Sequence, residues 1–400
     1  MQRKTIGPVV LLAIASVDQL AITMSQQGLS ILSVAFKEYS HLGVAQMGIL
    51  FSTVAFGAVV GMIPAGLALD RWGAKRIAWI SGFSILMVMG ILGLVLPKNF
   101  WALEALLGLV GFFLPPLSLT GMTAISNHFQ NTPQEGTAIG IRQAATPLGG
   151  ILAASIFPWL VKSWSLSILL LVIAVNAGGW TMLFAWVLHP HSSRQVKTMD
   201  RSGVKGAVGL LGHLRQPLLV SLLLSPGQYT LLTYSLLDLH ERWHVKMDVA
   251  GPILALALFG GFVARIVMGK MADGGRNAQN LMIATAMIGI AALLAWALVP
   301  KTISFYVIMA IFFALGAGLD GWNALLTTWV SRISSVSQRG MALGLTGMSG
   351  FIGIVLFLPV FGVLVRTAHS YRPAWMLLAG IYAVGILIMV RVKIKTPSPL

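Results

Sequence analysis

The chain contains no cysteine, so neither a disulfide framework nor a thiolate metal site can form. It is also poor in charge: only 10% of its 400 residues are Asp, Glu, Lys or Arg, and only 11 of them are acids. Soluble domains carry about 25% charged residues, so this scarcity excludes an ordinary water-facing surface. Catalytic signatures are missing as well. No nucleophile–base constellation, metal spacing or phosphate-binding loop is present, and His128, His189, His191 and His213 are scattered over loops. The sequence therefore calls for no enzyme, no cofactor and no metal. What fills it is hydrocarbon, with 57% hydrophobic residues and a mean hydropathy of +0.85, which is the composition of an integral membrane protein.

Apolar runs recur along the whole length, each long enough to cross a hydrocarbon core of about 30 Å as a helix. Twelve are expected, with cores near 7–32, 43–69, 77–96, 100–124, 137–161, 166–188, 217–239, 249–271, 281–299, 303–330, 341–365 and 373–390. The formal net charge of +16 forms no basic face for nucleic acid; it reports topology instead. With both termini placed inside, seventeen of the 27 Lys and Arg fall on inner loops and eight on outer ones, and the remaining two, Arg142 and Arg265, lie within helices. That asymmetry supports an even number of crossings with both ends cytoplasmic. Arg3 and Lys4 precede an apolar run that contains Asp18 and has no clear small-x-small cleavage site, so it is expected to be a retained first helix.

The one long polar interval, 189–216, divides six apolar segments from six. It sets the expected organisation: a bundle over 1–188, a cytoplasmic linker over 189–216 and a second bundle over 217–400. The halves resemble each other. GLALDRWGAKR (66–76) follows the second segment and GKMADGGR (269–276) the eighth, so Gly66 and Asp70 recur as Gly269 and Asp273 at a spacing of 203. EGTAIG (135–140) and RGMALG (339–344) open the fifth and eleventh segments at a spacing of 204. Two agreeing offsets indicate a duplicated six-helix unit, the arrangement in which a binding site lies between pseudo-symmetric halves. In the repeated loop, glycine permits a tight antiparallel turn, and the acid beside Arg and Lys makes a charge cluster at the inner interface. One copy is equally an ordinary basic turn; two copies favour a gate.

GLALDRWGAKR resembles the signature loop between helices two and three of the major facilitator superfamily, G-x-L-x-D-R-x-G-x-K/R-R, with Gly66, Asp70, Arg71, Gly73 and Arg76 in place. The resemblance implies an all-α polytopic protein of two six-helix bundles. It also implies a secondary transporter working by alternating access, with a central cavity and an inner gate formed by those residues together with Gly269 and Asp273. ASVDQLAITM (15–24) and the stretch leading to Asp70 are similar to the anion:cation symporter and sugar-phosphate permease branch. Where that branch has an Asp-Arg pair in helix one, this chain has Asp18 followed by Gln19, and the helix-four arginine and downstream acid fall at Glu104 and Gly111, so two anion-coordinating bases of the branch are absent. ARIVMGKMAD (264–273) resembles the R-x-x-x-G-x-x-x-D ending of helix eight, whose arginine is implicated in holding carboxylate in the monocarboxylate-transporter branch. Gly274 and Gly275 depart from the gate pattern in the second copy. ATPLGG (145–150) approximates the helix-five signature of efflux antiporters, so a drug or metabolite exporter is the competing reading.

Charges at membrane depth cost several kcal/mol unless paired or hydrated, which makes each a functional candidate. Asp18 lies about 15 Å into the first segment and Asp320 is similarly deep in GLDGWNALL (318–326); both are candidate proton carriers. Arg142 with Gln143 in GIRQAATPLGG, Arg265, Trp322 with Asn323, and Gln228 with Tyr229 are candidate substrate contacts. Trp322 singly is equally a packing residue, and Arg265 equally a gate residue. Pro226 and Gly227 stand where they can interrupt the seventh segment. Glu104 and Asp238, near outer ends, are expected to be solvated or paired with outer bases. The partners expected are a small organic solute, an anion or carboxylate by preference, with protons and the lipid bilayer; nucleic acid is not expected, and the working unit is a monomer in the cell (inner or plasma) membrane. A membrane sensor built on a transporter fold is the reading from another class, for which the 189–216 loop offers little room.

Overall fold

The computed structural model describes residues 7–129, 132, 134–188, 201–274, 276–300, 302–334 and 338–391, and the regular structure among them is entirely helical. The helices are α1 (Pro8–Ile31), α2 (Ser33–Ser40), α3 (Val44–Val95), α4 (Phe100–Phe129), α5 (Glu135–Ser163), α6 (Leu166–Val187), α7 (Arg201–Trp243), α8 (Met247–Asp273), α9 (Ala278–Leu298), α10 (Phe305–Asp320), α11 (Trp322–Ile333), α12 (Arg339–Ala368) and α13 (Arg372–Arg391).

These thirteen helices trace twelve crossings. α1 and α2 share the first around Leu32, α10 and α11 share the tenth around Gly321, and α3 makes two. Its break is at Gly73, whose φ of 77° and ψ of 160° suit a residue without a Cβ, inside the very loop that carries Asp70 and Arg71. The expected linker over 189–216 falls only in part on described residues. Residues 189–200 lie outside the described residues, whereas α7 already begins at Arg201. Val204, Val208 and Leu211 continue the helical period, and no proline intervenes before Pro217. α7 also runs through Pro226 and Gly227 without interruption.

Lipid offers no hydrophobic drive for helices to associate, so packing and hydrogen bonds must do it. Small residues supply the close approach: a Cβ on Gly57 of α3 would meet the Gly108 carbonyl of α4, and one on Gly260 of α8 would meet the Phe313 carbonyl of α10. Those two glycines are themselves 203 residues apart, so each half closes the same seam in the same way. Large apolar side chains such as Phe56, Ile63, Phe83, Leu94 and Leu356 face outward, and Trp101, Trp159 and Trp186 are exposed near crossing ends, where indoles anchor to the interface.

Candidate functional site

Among the described residues, the bonds that join the two bundles are gathered toward one side of the membrane. Ser33 donates to the Thr233 carbonyl at 2.8 Å, Lys37 pairs with Glu241, His240 lies 3.4 Å from Glu38, and Lys162 lies 3.0 Å from Asp248. All of these belong to the side with fewer basic residues, the expected outer side. Among the described residues, no hydrogen bond or ion pair joins the bundles at the inner side. There Asp70, Arg71 and Arg76 are exposed and form no ion pair, Gly66 and Gly269 have open space around them, and the side chain of Asp273 lies outside the described residues. Among the described residues, the cross-bundle bonds therefore close the expected outer side.

Four crossings of the first bundle converge on one polar cluster. Asp18 of α1 is fully buried and accepts from Thr181 of α6 at 2.8 Å, while its second oxygen has no partner. Arg142 of α5 is also buried and donates from Nη2 to the Ser118 carbonyl of α4 at 3.0 Å, with its Nε unpartnered. The two charges interact electrostatically without a direct ion pair. Gln19 knits the rest: its amide nitrogen donates to Thr23 and Thr146 and its oxygen accepts from Ser118. Arg142 therefore points across its own bundle toward α4. Room for it comes from Gly121, where a Cβ would fall 2.5 Å from Nη2 and 2.9 Å from Nε. Gln143 is turned outward and exposed.

In the second bundle the two candidates form one unit. Asp320 ends α10 at the middle of its crossing and is 2% exposed. Arg265 of α8 contacts it twice, Nη2 to Oδ1 at 2.5 Å and Nε to the Asp320 carbonyl at 3.2 Å. The second bond satisfies a carbonyl at the break in the tenth crossing, where the helical ladder is interrupted. Arg142 and Arg265 lie at matched depth, seven residues from the inner start of α5 and eight from the inner end of α8, about 10 and 12 Å along the axis. Tyr229 of α7 accepts from the amide of Gln26 of α1 at 3.0 Å; Gln228 and Asn323 are half-buried.

One expectation needs correction, that for Glu104, and two others gain detail. Trp322 is 1% exposed and its N–H donates to the Leu319 carbonyl at 2.7 Å, so the indole packs within the bundle. Asp238 pairs with an outer base as expected, Arg242 at 3.9 Å, but from a fully buried position, where it accepts from the indoles of Trp296 and Trp375 at 2.8 and 2.9 Å. Glu104 is half-buried against Thr53, which lies 2.8 Å away. Ser118 and Thr181 carry site geometry that the sequence reading did not single out. Their only sequence signal is a polar residue on an otherwise apolar turn.

The repeat explains which of these groups the scaffold requires. Asp18 and Arg142 correspond at 203 and 204 residues to Ser221 and Thr346, and Ser221 donates to the Thr346 carbonyl at 2.8 Å. The same two positions interact in both halves, electrostatically between charges in the first and by a neutral hydrogen bond in the second, so the scaffold does not require charge there.

This architecture is matched by comparison. The sequence model of the Major Facilitator Superfamily fits residues 19–319 and 218–400. The chain belongs to the major facilitator superfamily. This superfamily member is 23% identical over 389 residues to the hexuronate transporter of Bacillus subtilis (strain 168), covering 92% of this chain and 90% of that protein. It is 26% identical over 398 residues to a probable galactarate/D-glucarate transporter of Escherichia coli (strain K12), covering 88% and 86%. The solved nucleoside transporter NupG superposes with a TM-score of 0.75 at 18% identity, over 97% of this chain and 100% of that one, which shows a shared fold. The superfamily member is a multi-pass membrane transporter of a small-molecule solute and not an enzyme.

Proposed function

We propose that this superfamily member is a secondary active transporter that carries a small organic anion of the acid-sugar kind, with protons, by alternating access across the cell membrane, its termini on the cytoplasmic side. The observation that carries this reading is the Arg265–Asp320 pair at mid-membrane, 2.5 Å apart. A buried ion pair is tolerable only while both partners are present. When Asp320 takes a proton, the guanidinium loses its counter-ion and offers its planar fork to a carboxylate. When the proton leaves, the carboxylate of Asp320 reclaims Arg265 and the substrate anion is expelled. Proton and anion thus favour each other's binding, which is the linkage a symporter needs.

The first bundle supports the same chemistry with Asp18 and Arg142, two buried opposite charges each with an unpartnered polar atom. Gln143, Gln228, Tyr229 and Asn323 are proposed as weaker contacts to the solute. Gly66, Asp70, Arg71, Gly73, Arg76, Gly269 and Asp273 form the gate that closes when the bundles rock back, and a single chain is the working unit. The relatives named for hexuronate and for galactarate/D-glucarate favour a hydroxylated carboxylate over a plain one.

The test is uptake of labelled glucuronate by the purified protein in liposomes under an imposed proton gradient. Acidifying the outside should accelerate uptake, Arg265→Gln should reduce it by at least about a hundredfold, and Asp320→Asn should keep anion exchange while losing the response to the gradient. Uptake indifferent to the gradient, or undiminished in Arg265→Gln, overturns the reading.

A further inference from the structure

Gln26 and Tyr229 are 203 residues apart, the offset of the internal repeat, and they are bonded to each other. Positions related by a pseudo-twofold axis can touch only on that axis. Their bond therefore marks the centre of the molecule, where α1 and α7 face across the two bundles. Along these helices it is also the innermost of the cross-bundle bonds, followed outward by Ser33–Thr233 and by Lys37–Glu241.

The bond leaves capacity unused. The Gln26 amide offers two N–H donors and an oxygen, and only one N–H is engaged; the phenolic proton of Tyr229 has no acceptor among the described residues. The ring of Tyr229 is held edge-on against Phe351 of α12 at 6.2 Å, so its hydroxyl is positioned by packing as well as by Gln26. Tyr229 also lies within electrostatic range of Asp320, which bonds to Arg265. Tyr229 and Arg265 thus both interact with Asp320, which sets the pair beside the proposed carboxylate site.

We propose that Gln26 and Tyr229 are a hydroxyl-reading pair that bonds the hydroxyl-bearing body of the transported acid and, when no acid is bound, closes on itself to keep the outer side shut. Opening outward requires the two bundles to part at this end and breaks the bond. The separated amide and phenol then present donors and acceptors of the kind a polyol satisfies, so a substrate hydroxyl replaces the bond that opening removes. A carboxylate without hydroxyls cannot make that replacement. The pair thereby selects hydroxylated acids and links their arrival to the gate. This inference rests on the organic-anion reading above and deepens it.

The experiment measures uptake of glucuronate and of tetrahydropyran-2-carboxylate, the same ring acid stripped of hydroxyls, and cross-inhibition between the two, in proteoliposomes of the intact chain, Tyr229→Phe and Gln26→Met. Both variants preserve side-chain volume. The intact chain should favour glucuronate by at least about a hundredfold, the order expected when a polar site meets a ligand lacking the matching hydroxyl. Each variant should lower kcat/KM for glucuronate about tenfold, mainly through KM, and leave the affinity for the hydroxyl-free acid within about twofold. An equal loss for both acids reveals a purely structural pair and overturns the proposal, as does an unchanged ratio in the variants. Failure of the intact chain to move either acid overturns the organic-anion reading and this inference with it; glucuronate uptake with an unchanged ratio overturns this inference alone.

Discussion

Cutting the Lys37–Glu241 pair should loosen the outer side by a small and calculable amount. Its side chains are 26% and 29% exposed, so the pair is partly hydrated, and such pairs contribute about 0.2–1 kcal/mol. Glu241 has a second partner, the Tyr371 hydroxyl at 2.9 Å. Burial first, and the facing Glu241 carboxylate second, push that phenol above its ordinary range, so it stays protonated and keeps donating at any working pH. Lys37→Ala therefore leaves Glu241 half-satisfied and should shift the closed-to-open ratio by about twofold. Glu241→Ala removes the same cross-bundle pair and should shift the ratio by a similar factor, about twofold, because Tyr371 lies in the same bundle as Glu241 and its bond does not span the opening. The exchange Lys37→Glu with Glu241→Lys should recover most of that shift. The assay exploits the absence of cysteine: Ser33→Cys becomes the one thiol in the chain, at a fully buried position whose hydroxyl bonds across the bundles. A membrane-impermeant maleimide added outside then reads the open fraction as a labelling rate. Labelling unaffected by Glu241→Ala, or faster in the exchanged pair than in either single variant, refutes the reasoning.

Two further outcomes follow from the buried polar groups. Asp238→Ala should lower stability by about 2–4 kcal/mol, because two indole N–H groups and Arg242 lose their shared acceptor in a dry site; thermal unfolding in detergent measures it, and Asp238→Asn should cost less because one acceptor remains. Gly121→Ala places a methyl where the Arg142 guanidinium sits, so glucuronate transport should fall about tenfold with the unfolding temperature little changed; full activity would mean that the position of Arg142 against α4 is immaterial.

The crossings were legible in the sequence because hydrocarbon thickness fixes their length and loop bases fix their direction. The repeat was legible because Gly66 and Asp70 recur as Gly269 and Asp273 at one spacing. Side-chain direction was not. Depth identified Asp18, Asp320, Arg142 and Arg265, but nothing in the linear order says that Arg265 meets Asp320, 55 residues away, while Arg142 meets a backbone carbonyl. The burial of Asp238 was not legible because it depends on Trp296 and Trp375, 58 and 137 residues on, which crossings α9 and α13 bring to it. Nor does the linear order say that the indole of Trp322 bonds the Leu319 carbonyl. Packing partners, not local pattern, decide these cases.

Arg265 holds both the side chain and the backbone of Asp320, and that double grip fastens α8 to the point where the tenth crossing is broken. An arginine drawn away by an anion relinquishes the carboxylate and strains its hold on the carbonyl, so the tenth crossing loses a splint at its weakest joint. Under the proposed transport cycle, occupancy would then be felt as a change in stiffness halfway through the membrane.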